Sequence, residues 1–437
     1  MTTEDARADR TDPTAEVEDT STKLKVPFRQ SIMVALAAGV GYGFDAYAVN
    51  IYSLVLPSIR ESLNLTVGMA GMIGSIFLVG YTVGTVGFGI AADKFGRRDT
   101  LGVSILVYGA TTSLGGLTSN VPLFTALRFL TGVGGAGELA VGAPYTAEMF
   151  PARARALGTG GIMFSLYSLG FILAGACALY IVPRWGWEPT FVVAILPAGL
   201  IFVFRRYLQE SVRYTVAKVE AKAAAAKAGA SPEKLKIWKI PEARRRIYLG
   251  WLIYSANAFG YWGMTVFLTT FMIEKFGVSA ADAIMWSMIF YVVQFCFCYI
   301  GTGLSDLFGR RPAAILGALL MMACTMVGAT TDSFTTYLVF GGTTIALLGW
   351  LWGIGDTYLA ELFPTEIRGT GFGLSVGGGR VVSIFAPFLV GTSIAAFGIS
   401  VPYLAMSGLW VLTIIGYLLG PETAGKELEE TGALVKA

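Results

Sequence analysis

The feature that most constrains this chain is an internal repeat with an offset of 213 residues, about half of its 437-residue length. Residues 89–98 read GIAADKFGRR, and their Asp, Phe, Gly and paired Arg return in residues 305–311, SDLFGRR. A second pair of stretches, 145–151 (YTAEMFP) and 358–364 (YLAELFP), keeps the same offset. Two unrelated motifs in one register indicate an internal duplication, so the sequence predicts two similar halves.

Each half is too apolar for a soluble domain. Hydrophobic residues make up 54% of the chain and charged residues only 14%, and the mean hydropathy is +0.64. Crossing a bilayer takes about 20 apolar residues per helix, and roughly twelve runs meet that length. They lie near 31–57, 67–91, 99–118, 121–147, 156–182, 190–205, 247–273, 281–304, 313–331, 335–361, 369–397 and 400–420. We therefore expect an all-α membrane protein with twelve transmembrane helices in two six-helix pseudo-repeats.

The polar segments divide the chain and orient it. We expect a disordered tail (1–30), an N-terminal six-helix bundle (31–205), a linker (206–246), a C-terminal six-helix bundle (247–420) and a C-terminal tail (421–437). Of the 32 Lys and Arg residues, 27 lie in segments on the side of the two termini and three in loops of the other side. Basic loops stay in the cytoplasm, so both termini of this multi-pass plasma-membrane protein are predicted to be cytoplasmic.

Composition excludes chemistry that depends on histidine or clustered cysteines. The chain has no histidine, and its four cysteines lie inside apolar runs. We therefore expect no enzyme active site, no metal and no cofactor, and any proton coupling must use Asp or Glu. There is no nucleotide-binding motif, so an ion gradient must supply energy for transport. The net charge of +3 gives no indication of nucleic acid binding.

The stretch at 89–98 resembles the signature of the major facilitator superfamily, G-x-x-x-D-[RK]-x-G-R-[RK] after the second span. The resemblance covers roughly residues 30–425 and implies the major facilitator fold, a carrier with its site between two halves. It also implies a cytoplasmic gate formed by Asp93, Arg97, Glu148, Asp306, Arg310 and Glu361. The plainer interpretation is that Gly and Asp form a tight turn and the basic residues hold it at the membrane face.

Four charged residues stand out inside the predicted spans: Asp45, Arg128, Glu138 and Arg380. A charge near the bilayer centre costs at least about 2.5 kcal/mol on insertion scales, so each one is a candidate functional group. None has a charged counterpart at the 213-residue offset. The shared scaffold does not need them, which indicates a role specific to each half.

Asp45 is the candidate proton carrier. The bilayer centre favours a protonated carboxyl group and a nearby guanidinium favours the carboxylate, so movement between the two can load and release a proton. Residues 128–134 (RFLTGVG) resemble the fourth-span motif of sugar and phosphate porters, which implies proton-coupling roles for Asp45, Arg128 and Glu138. Phosphate symporters have a second Asp where this chain has Ala48, which argues against phosphate. A permanent packing pair of Asp45 with Arg128 is the alternative.

Arg380 is the candidate substrate anchor. Residues 377–380 (GGGR) resemble the eleventh-span stretch of aromatic acid:proton and organic ion transporters. A guanidinium fork fits a planar carboxylate, and two intramembrane arginines in one cavity would favour an anion. The alternative is that Arg380 pairs with Asp356 or with backbone carbonyl groups.

Polar and aromatic side chains complete the predicted cavity. In the seventh and eighth spans they recur at intervals of three and four residues, as on one helix face. The candidate substrate-binding residues, besides Arg380, are Tyr47, Tyr254, Asn257, Tyr261, Tyr291 and Gln294. The same pattern is also typical of helix packing.

Together these features predict a secondary active transporter that imports a small organic anion, such as an aromatic or short carboxylate, by proton symport. The predicted partners are the substrate, protons and the lipid bilayer, and the expected state is a monomer. A carrier of an organic cation, of a neutral nutrient such as a sugar, or of inorganic phosphate is the alternative.

Overall fold

The computed structural model describes residues 26–196, 199, 208–227 and 237–431, and the regular structure within them is helical. Spans one to four are Phe28–Leu54, Val67–Phe95, Arg97–Gly115 and Val121–Met149. A short helix, Leu56–Ser62, extends the first span. Span five consists of a π-helical segment, Leu157–Met163, and the helix Phe164–Tyr180. Span six begins with Glu188–Val192 and Val193–Ile195, and its predicted continuation lies largely outside the described residues.

The second half repeats this order after a linker helix, Val212–Lys227. Span seven is Pro241–Thr265, extended by Leu268–Phe276, and spans eight to ten are Ala280–Phe308, Arg310–Thr330 and Phe334–Glu361. Span eleven comprises Arg368–Arg380 and Ala386–Phe397, and span twelve comprises Ser400–Ser407 and Trp410–Leu419.

The helices follow the predicted order of spans. Among the described residues, eight helices are long and apolar enough to cross a membrane. The third and seventh spans begin with charged residues, and the fourth contains Arg128 and Glu138, so these spans are less apolar. The first span begins at Phe28, three residues before the predicted position, and most of the predicted tail at 1–30 lies outside the described residues.

The repeat extends to the turns between the helices. The hydroxyl groups of Thr66 and Ser279 cap spans two and eight by accepting the N–H three residues further on, at 3.2 and 3.1 Å. Gly96 and Gly309 turn the chain into spans three and nine with φ angles of 108° and 110°. Residues with a side chain rarely adopt these φ angles, so the backbone conformation requires the Gly of each Asp-x-x-Gly-Arg motif. Both pairs are 213 residues apart.

Glycines let the two halves approach closely on the side that carries these motifs, here called the motif face. A Cβ at Gly89 would lie 2.3 Å from the carbonyl oxygen of Gly369, and one at Gly160 would lie 2.4 Å from that of Gly353. Both contacts join the first half to the second. A methyl group at either position would force the backbones apart.

The eleventh span is interrupted directly after its charge. The helix ends at Arg380, a turn at Val381–Ile384 follows, and Pro387 lies in the first turn of the next segment. Proline lacks the N–H that a continuous helix would use there. Arg380 is therefore the last residue of a helix, a position at which a positive charge is favourable.

Candidate functional site

A cavity with an empty volume of about 330 Å³ lies between the halves, near the middle of the spans. Its lining includes Tyr42, Phe164 and Tyr167 from the first half and Tyr261, Trp352 and Arg380 from the second. The rings contact one another across the halves: Phe164 and Trp352 are stacked with centroids 6.1 Å apart. The cavity thus combines flat aromatic walls with one cationic group.

Arg380 is buried at the edge of this cavity, with 6% of its surface exposed. Its Nη2 donates to the Tyr254 hydroxyl at 3.1 Å, and its guanidinium carbon lies 4.2 Å from the centre of the Tyr81 ring. Its Nε has no hydrogen-bond partner among the described residues. In the same part of the chain, no carboxylate forms an ion pair with the Arg380 guanidinium. Ring faces therefore balance part of its charge, and the predicted alternative of an Asp356 pair is not formed in this conformation.

Asp45 is buried on the first span and only half satisfied. Its Oδ2 accepts from the Tyr81 hydroxyl at 2.8 Å, and its Oδ1 has no partner within the described ranges. A Cβ at Gly135 would lie 2.0 Å from Oδ1, so the fourth span needs a glycine there. Tyr81 contacts Asp45 through its hydroxyl and Arg380 through its ring face. The candidate proton carrier and the candidate anchor are therefore linked by one side chain.

Arg128 lies apart from Asp45 in an aromatic box. Its Nη1 donates to the Ala48 carbonyl at 3.2 Å, and its guanidinium carbon lies 4.7 and 4.5 Å from the ring centres of Tyr52 and Phe77. Within the described part of the chain, Arg128 forms no ion pair with Asp45. The permanent packing pair considered from the sequence is therefore not what this conformation contains.

Glu138 is the fourth of these buried charged residues, and only one of its carboxylate oxygens is bonded to a described residue. Its Oε1 accepts from the Ser104 hydroxyl at 2.6 Å, and its Oε2 has no partner among the residues described. A Cβ at Gly41 would lie 2.1 Å from Oε2. Glu138 thus faces the first span, as Asp45 faces the fourth, and the two carboxylates lie on opposite sides of one helix contact.

Of the predicted substrate contacts, Arg380 and Tyr261 line the cavity, and Tyr254 contacts Arg380. The Tyr261 hydroxyl is 3.0 Å from that of Tyr167 and 3.4 Å from that of Tyr291, which forms a row of hydroxyl groups between the halves. Gln294 makes a separate contact between the halves, because its Oε1 accepts from the hydroxyl of Ser168 in the fifth span at 2.9 Å. These side chains join the halves beside the cavity.

Two other predicted contacts are not brought to the cavity. The Tyr47 hydroxyl donates to the Thr190 carbonyl at 2.6 Å, away from the second half. The Asn257 amide oxygen accepts from the Thr413 hydroxyl at 3.4 Å, inside the second half. Substrate-binding roles for these two residues stay predictions.

At the motif face, the six predicted gating residues form two matching clusters, here called the gate clusters. The ion pairs within the halves are Arg97–Asp93 (2.9 Å), Arg97–Glu148 (3.1 Å), Arg310–Asp306 (2.6 Å) and Arg310–Glu361 (2.9 Å). All six side chains are buried or nearly so. The 213-residue repeat thus reproduces the ion pairs and not only the turn.

Two further arginines, one in each gate cluster, extend the clusters across the halves. Arg368 of the second half pairs with Glu148 of the first at 2.8 Å, and Arg155 of the first pairs with Glu361 of the second at 3.0 Å. Sequence reasoning missed their role, although the repeat offset that carries one onto the other was a usable signal. Each glutamate therefore receives one arginine from each half.

The aspartates of the motif also cross between the halves. Asp93 accepts the N–H groups of Gly369 and Thr370 at 3.0 and 2.6 Å. Asp306 accepts those of Ala156 and Leu157 at 3.2 and 2.9 Å. These amides lie at helix starts, where N–H groups lack partners and favour a negative charge. The motif face is consequently closed by reciprocal contacts.

The linker helix joins the C-terminal tail beside the gate clusters. Arg213 pairs with Glu427 at 2.8 Å and also with Glu429. Partial burial raises the pKa of Glu429, but the hydrogen bond and charge of Arg213 outweigh it, so this pKa lies below its usual value. The tail is thereby held against the closed face.

Comparison with known proteins agrees with this architecture. A profile of the family described as "Sugar (and other) transporter" matches residues 31–434. The chain belongs to this family of the major facilitator superfamily. It is accordingly a multi-pass membrane transporter and not an enzyme.

Relatives and solved structures give the same picture. The niacin transporter NiaP of Acinetobacter baylyi is 26% identical over 90% of this chain and 94% of its own, and a cis,cis-muconate transport protein of the same organism is 26% identical over 89% and 92%. The proton:xylose symporter XylE of E. coli has a similar structure, with a TM-score of 0.77, 20% identity and coverage of 93% of this chain and 99% of its own. This structural likeness supports the fold alone.

Proposed function

We propose that this transporter imports a small organic anion, an aromatic or short carboxylate, together with protons. The observation that carries the proposal is Arg380, a buried guanidinium with a free Nε at the edge of an aromatic cavity. A planar carboxylate matches this fork, and a ring matches the flat walls.

Asp45 and Glu138 are the proposed proton carriers. Each is buried, each has one oxygen held by a hydroxyl group, and each leaves one oxygen without a partner within the described residues. A carboxylate in that setting is stabilised by taking up a proton. Arg128, held by rings and one carbonyl group, is free to attract Asp45 when the halves move.

Alternating access supplies the movement. We take the motif face as cytoplasmic, with both termini inside, because the basic residues lie there. In this conformation the gate clusters close the cytoplasmic side, so the central site would load from outside. Repeat-built carriers rock their halves about such a site, and opening requires the cross-half contacts of Glu148 and Glu361 to break.

The relatives support an anionic substrate. NiaP and the muconate protein are described as carriers of niacin and of cis,cis-muconate, both of which are carboxylic acids. XylE is described as a proton symporter, which supports proton coupling in this fold. The proposal for this chain combines a carboxylate substrate with a proton gradient.

An organic cation is the second candidate. The observation in its favour is the set of buried carboxylates with free oxygens at Asp45 and Glu138, which could serve as counter-charges. Arg380 argues against it, because a cation in this cavity would lie beside a fixed positive charge. The first experiment therefore has to compare both charge classes.

The test is uptake into proteoliposomes that contain the purified protein, with and without an inward proton gradient. The panel comprises benzoate, nicotinate, cis,cis-muconate, phosphate, xylose and choline. We expect one or more of the carboxylates to accumulate only with the gradient, and choline, xylose and phosphate to equilibrate at the rate of empty liposomes. Gradient-driven uptake of choline or xylose with no carboxylate uptake would overturn the proposal.

A further inference from the structure

Asp356 of the tenth span is a buried carboxylate that has no role in the transport cycle proposed above. Its side chain is 2% exposed, and its Oδ1 has no hydrogen-bond partner in the described part of the chain. Trp352, one turn earlier, lines the cavity. Residues four apart share a helix face, so Asp356 lies directly beneath the cavity on the motif side. An unsatisfied carboxylate at this depth requires a physical reason.

The helix turn that contains Asp356 packs against three other spans. The centre of the Trp352 ring lies 4.9 Å from that of Tyr254 in the seventh span and 5.7 Å from the guanidinium carbon of Arg380 in the eleventh. A Cβ at Gly355 would lie 3.6 Å from the hydroxyl of Tyr417 in the twelfth span. Both tyrosines are neutral hydroxyl groups. Arg380 is therefore the cation available to Asp356 among the groups that face it.

Arg380 lies between two carboxylates and pairs with neither. Its guanidinium lies over the ring of Tyr81, which bonds Asp45 of the first half, and over that of Trp352, one turn before Asp356 of the second. Tyr81 separates it from Asp45, since the ring covers the guanidinium and the hydroxyl holds the carboxylate. In the described part of the chain, no side chain holds Oδ1 of Asp356 in this way, so a rotation of Arg380 towards the motif face could bring the guanidinium to this oxygen.

The repeat indicates that Asp356 and Arg380 belong together. The residue 213 positions before Arg380 is Tyr167, and the residue 213 positions before Asp356 is Ala143. The first half therefore lacks both members of this pair. A carboxylate needed only by the scaffold has no reason to accompany the arginine in one half alone.

We propose that Asp356 is the resident counter-charge of Arg380, which competes with the anionic substrate for the guanidinium and accepts it when the substrate leaves. This inference rests on the proposed anion transport. While the anion is bound, its carboxylate neutralises Arg380. After release, a buried arginine without a partner would oppose closure of the empty carrier. When the Arg380 side chain rotates towards Asp356, the two charges pair and the empty carrier can close and return. Asp45 then remains available to bind its proton.

The experiment compares Asp356→Asn with the wild-type protein, with Asp356→Glu, and with Asp332→Asn as a matched change of an exposed loop carboxylate. The probe is radiolabelled benzoate in proteoliposomes, with nicotinate and cis,cis-muconate as alternative probes in parallel. Exchange into benzoate-loaded liposomes measures the loaded carrier alone. Net uptake into proteoliposomes that contain no internal benzoate also requires return of the empty carrier.

For Asp356→Asn we expect exchange to persist with a half-saturating benzoate concentration lowered about fivefold, the low end of typical coupling between two competing ligands. Net uptake should fall about tenfold, because the empty carrier returns slowly, which is again within that range. Asp356→Glu should restore both quantities towards wild type, and Asp332→Asn should leave both unchanged.

Three results would overturn the inference. Wild-type values for Asp356→Asn would show that Arg380 needs no resident partner. Weaker benzoate binding, with Asp356→Glu normal, would make Asp356 a group that supports the anion site and does not compete for it. A wild-type protein that transports none of the three acids would overturn the proposed function and this inference together, which separates that failure from the first two.

Discussion

The gate clusters and the central site both contain buried charges, but within the part of the chain that the structure describes, the charges are paired in the gate clusters and unpaired at the central site. At the motif face, Glu148 and Glu361 each receive two arginines, and the arrangement repeats in both halves. At the centre, Asp45 and Arg380 have no ionic partner among the described residues, and neither has a charged repeat counterpart.

We propose that this difference separates the part of the protein that sets its conformation from the part that binds protons and substrate. Paired, buried charges at the motif face stabilise one closed state, and removal of one partner leaves an uncompensated charge. Unpaired charges at the centre are unfavourable until something neutralises them, which is what a proton or an anion does. Each of the following predictions tests one side of this contrast.

The largest effect is expected at the centre. Arg380→Ala removes the proposed anchor, and the loss of a charge-assisted hydrogen bond of up to about 3 kcal/mol corresponds to roughly a 100-fold weaker anion site. Arg380→Lys should recover part of it, because a lysine keeps the charge and loses the fork. Benzoate exchange measures both, with Arg184→Ala at an exposed position as control. Normal exchange in Arg380→Ala would contradict the assignment.

A comparable shift in conformation is expected at the gate. Glu148→Gln removes the common partner of Arg97 and Arg368, and breaking such buried pairs costs about 3 to 5 kcal/mol, enough to change the closed population about 100-fold. Hydrogen exchange at Gly369 and Thr370, whose amides bind Asp93 in the closed state, should become faster.

Glu366→Gln is the matched control for this change, because Glu366 is an exposed carboxylate on the same face. Its exchange rates should equal those of the wild type. If Glu148→Gln also leaves the protection of these amides unchanged, the gate clusters do not set the closed state.

A smaller effect is expected for coupling at the centre. Asp45→Asn cannot release a proton, so exchange of the anion should persist while accumulation driven by a gradient of one pH unit, worth about tenfold per proton, falls to equilibrium. Uptake of benzoate with and without the gradient measures this. Accumulation equal to that of the wild type would make Asp45 a packing residue.

The smallest effect is expected at the tail. Arg213→Ala removes a partly exposed ion pair, which contributes about 1 kcal/mol or less, so net uptake should change less than about fivefold. The pKa of Glu429 is lowered in the folded protein, so this contact is present at neutral pH and is lost only when the pH falls through that lowered value. A large loss of transport at pH 7 would show that the tail is part of the gate.

The contacts within the gate clusters could be predicted from the sequence better than those at the centre, because the gate clusters repeat. Asp93 and Arg97 could be matched with Asp306 and Arg310 by offset alone. In the structure, Asp93 contacts Arg97 and Asp306 contacts Arg310. Arg155 and Arg368 showed the same offset, but nothing in the sequence indicated that each would reach across to the other half.

At the centre, the sequence indicated only the residues whose charge is unusual inside a membrane span. Asp45, Arg128, Glu138 and Arg380 were selected because a charge inside a span is costly. Tyr81 was missed because its span is apolar on all sides, so periodicity does not indicate which side faces the site.

Tyr47 illustrates why an aromatic residue in a span need not face the site. It comes two residues after Asp45, and two residues correspond to about 200° around a helix, so the two side chains point in nearly opposite directions. The structure accordingly has Tyr47 on the carbonyl group of Thr190 and Asp45 on the hydroxyl group of Tyr81.

The most direct test of the central claim is to record proton entry while an anion moves down its own gradient. Proteoliposomes with a pH-sensitive dye inside and no initial pH difference would receive external benzoate as its anion, with nicotinate and cis,cis-muconate in parallel. The account predicts internal acidification that depends on the protein, exceeds that of empty liposomes and is lost in Asp45→Asn while exchange persists. Anion entry without protein-dependent acidification, or equal acidification in Asp45→Asn, would contradict it.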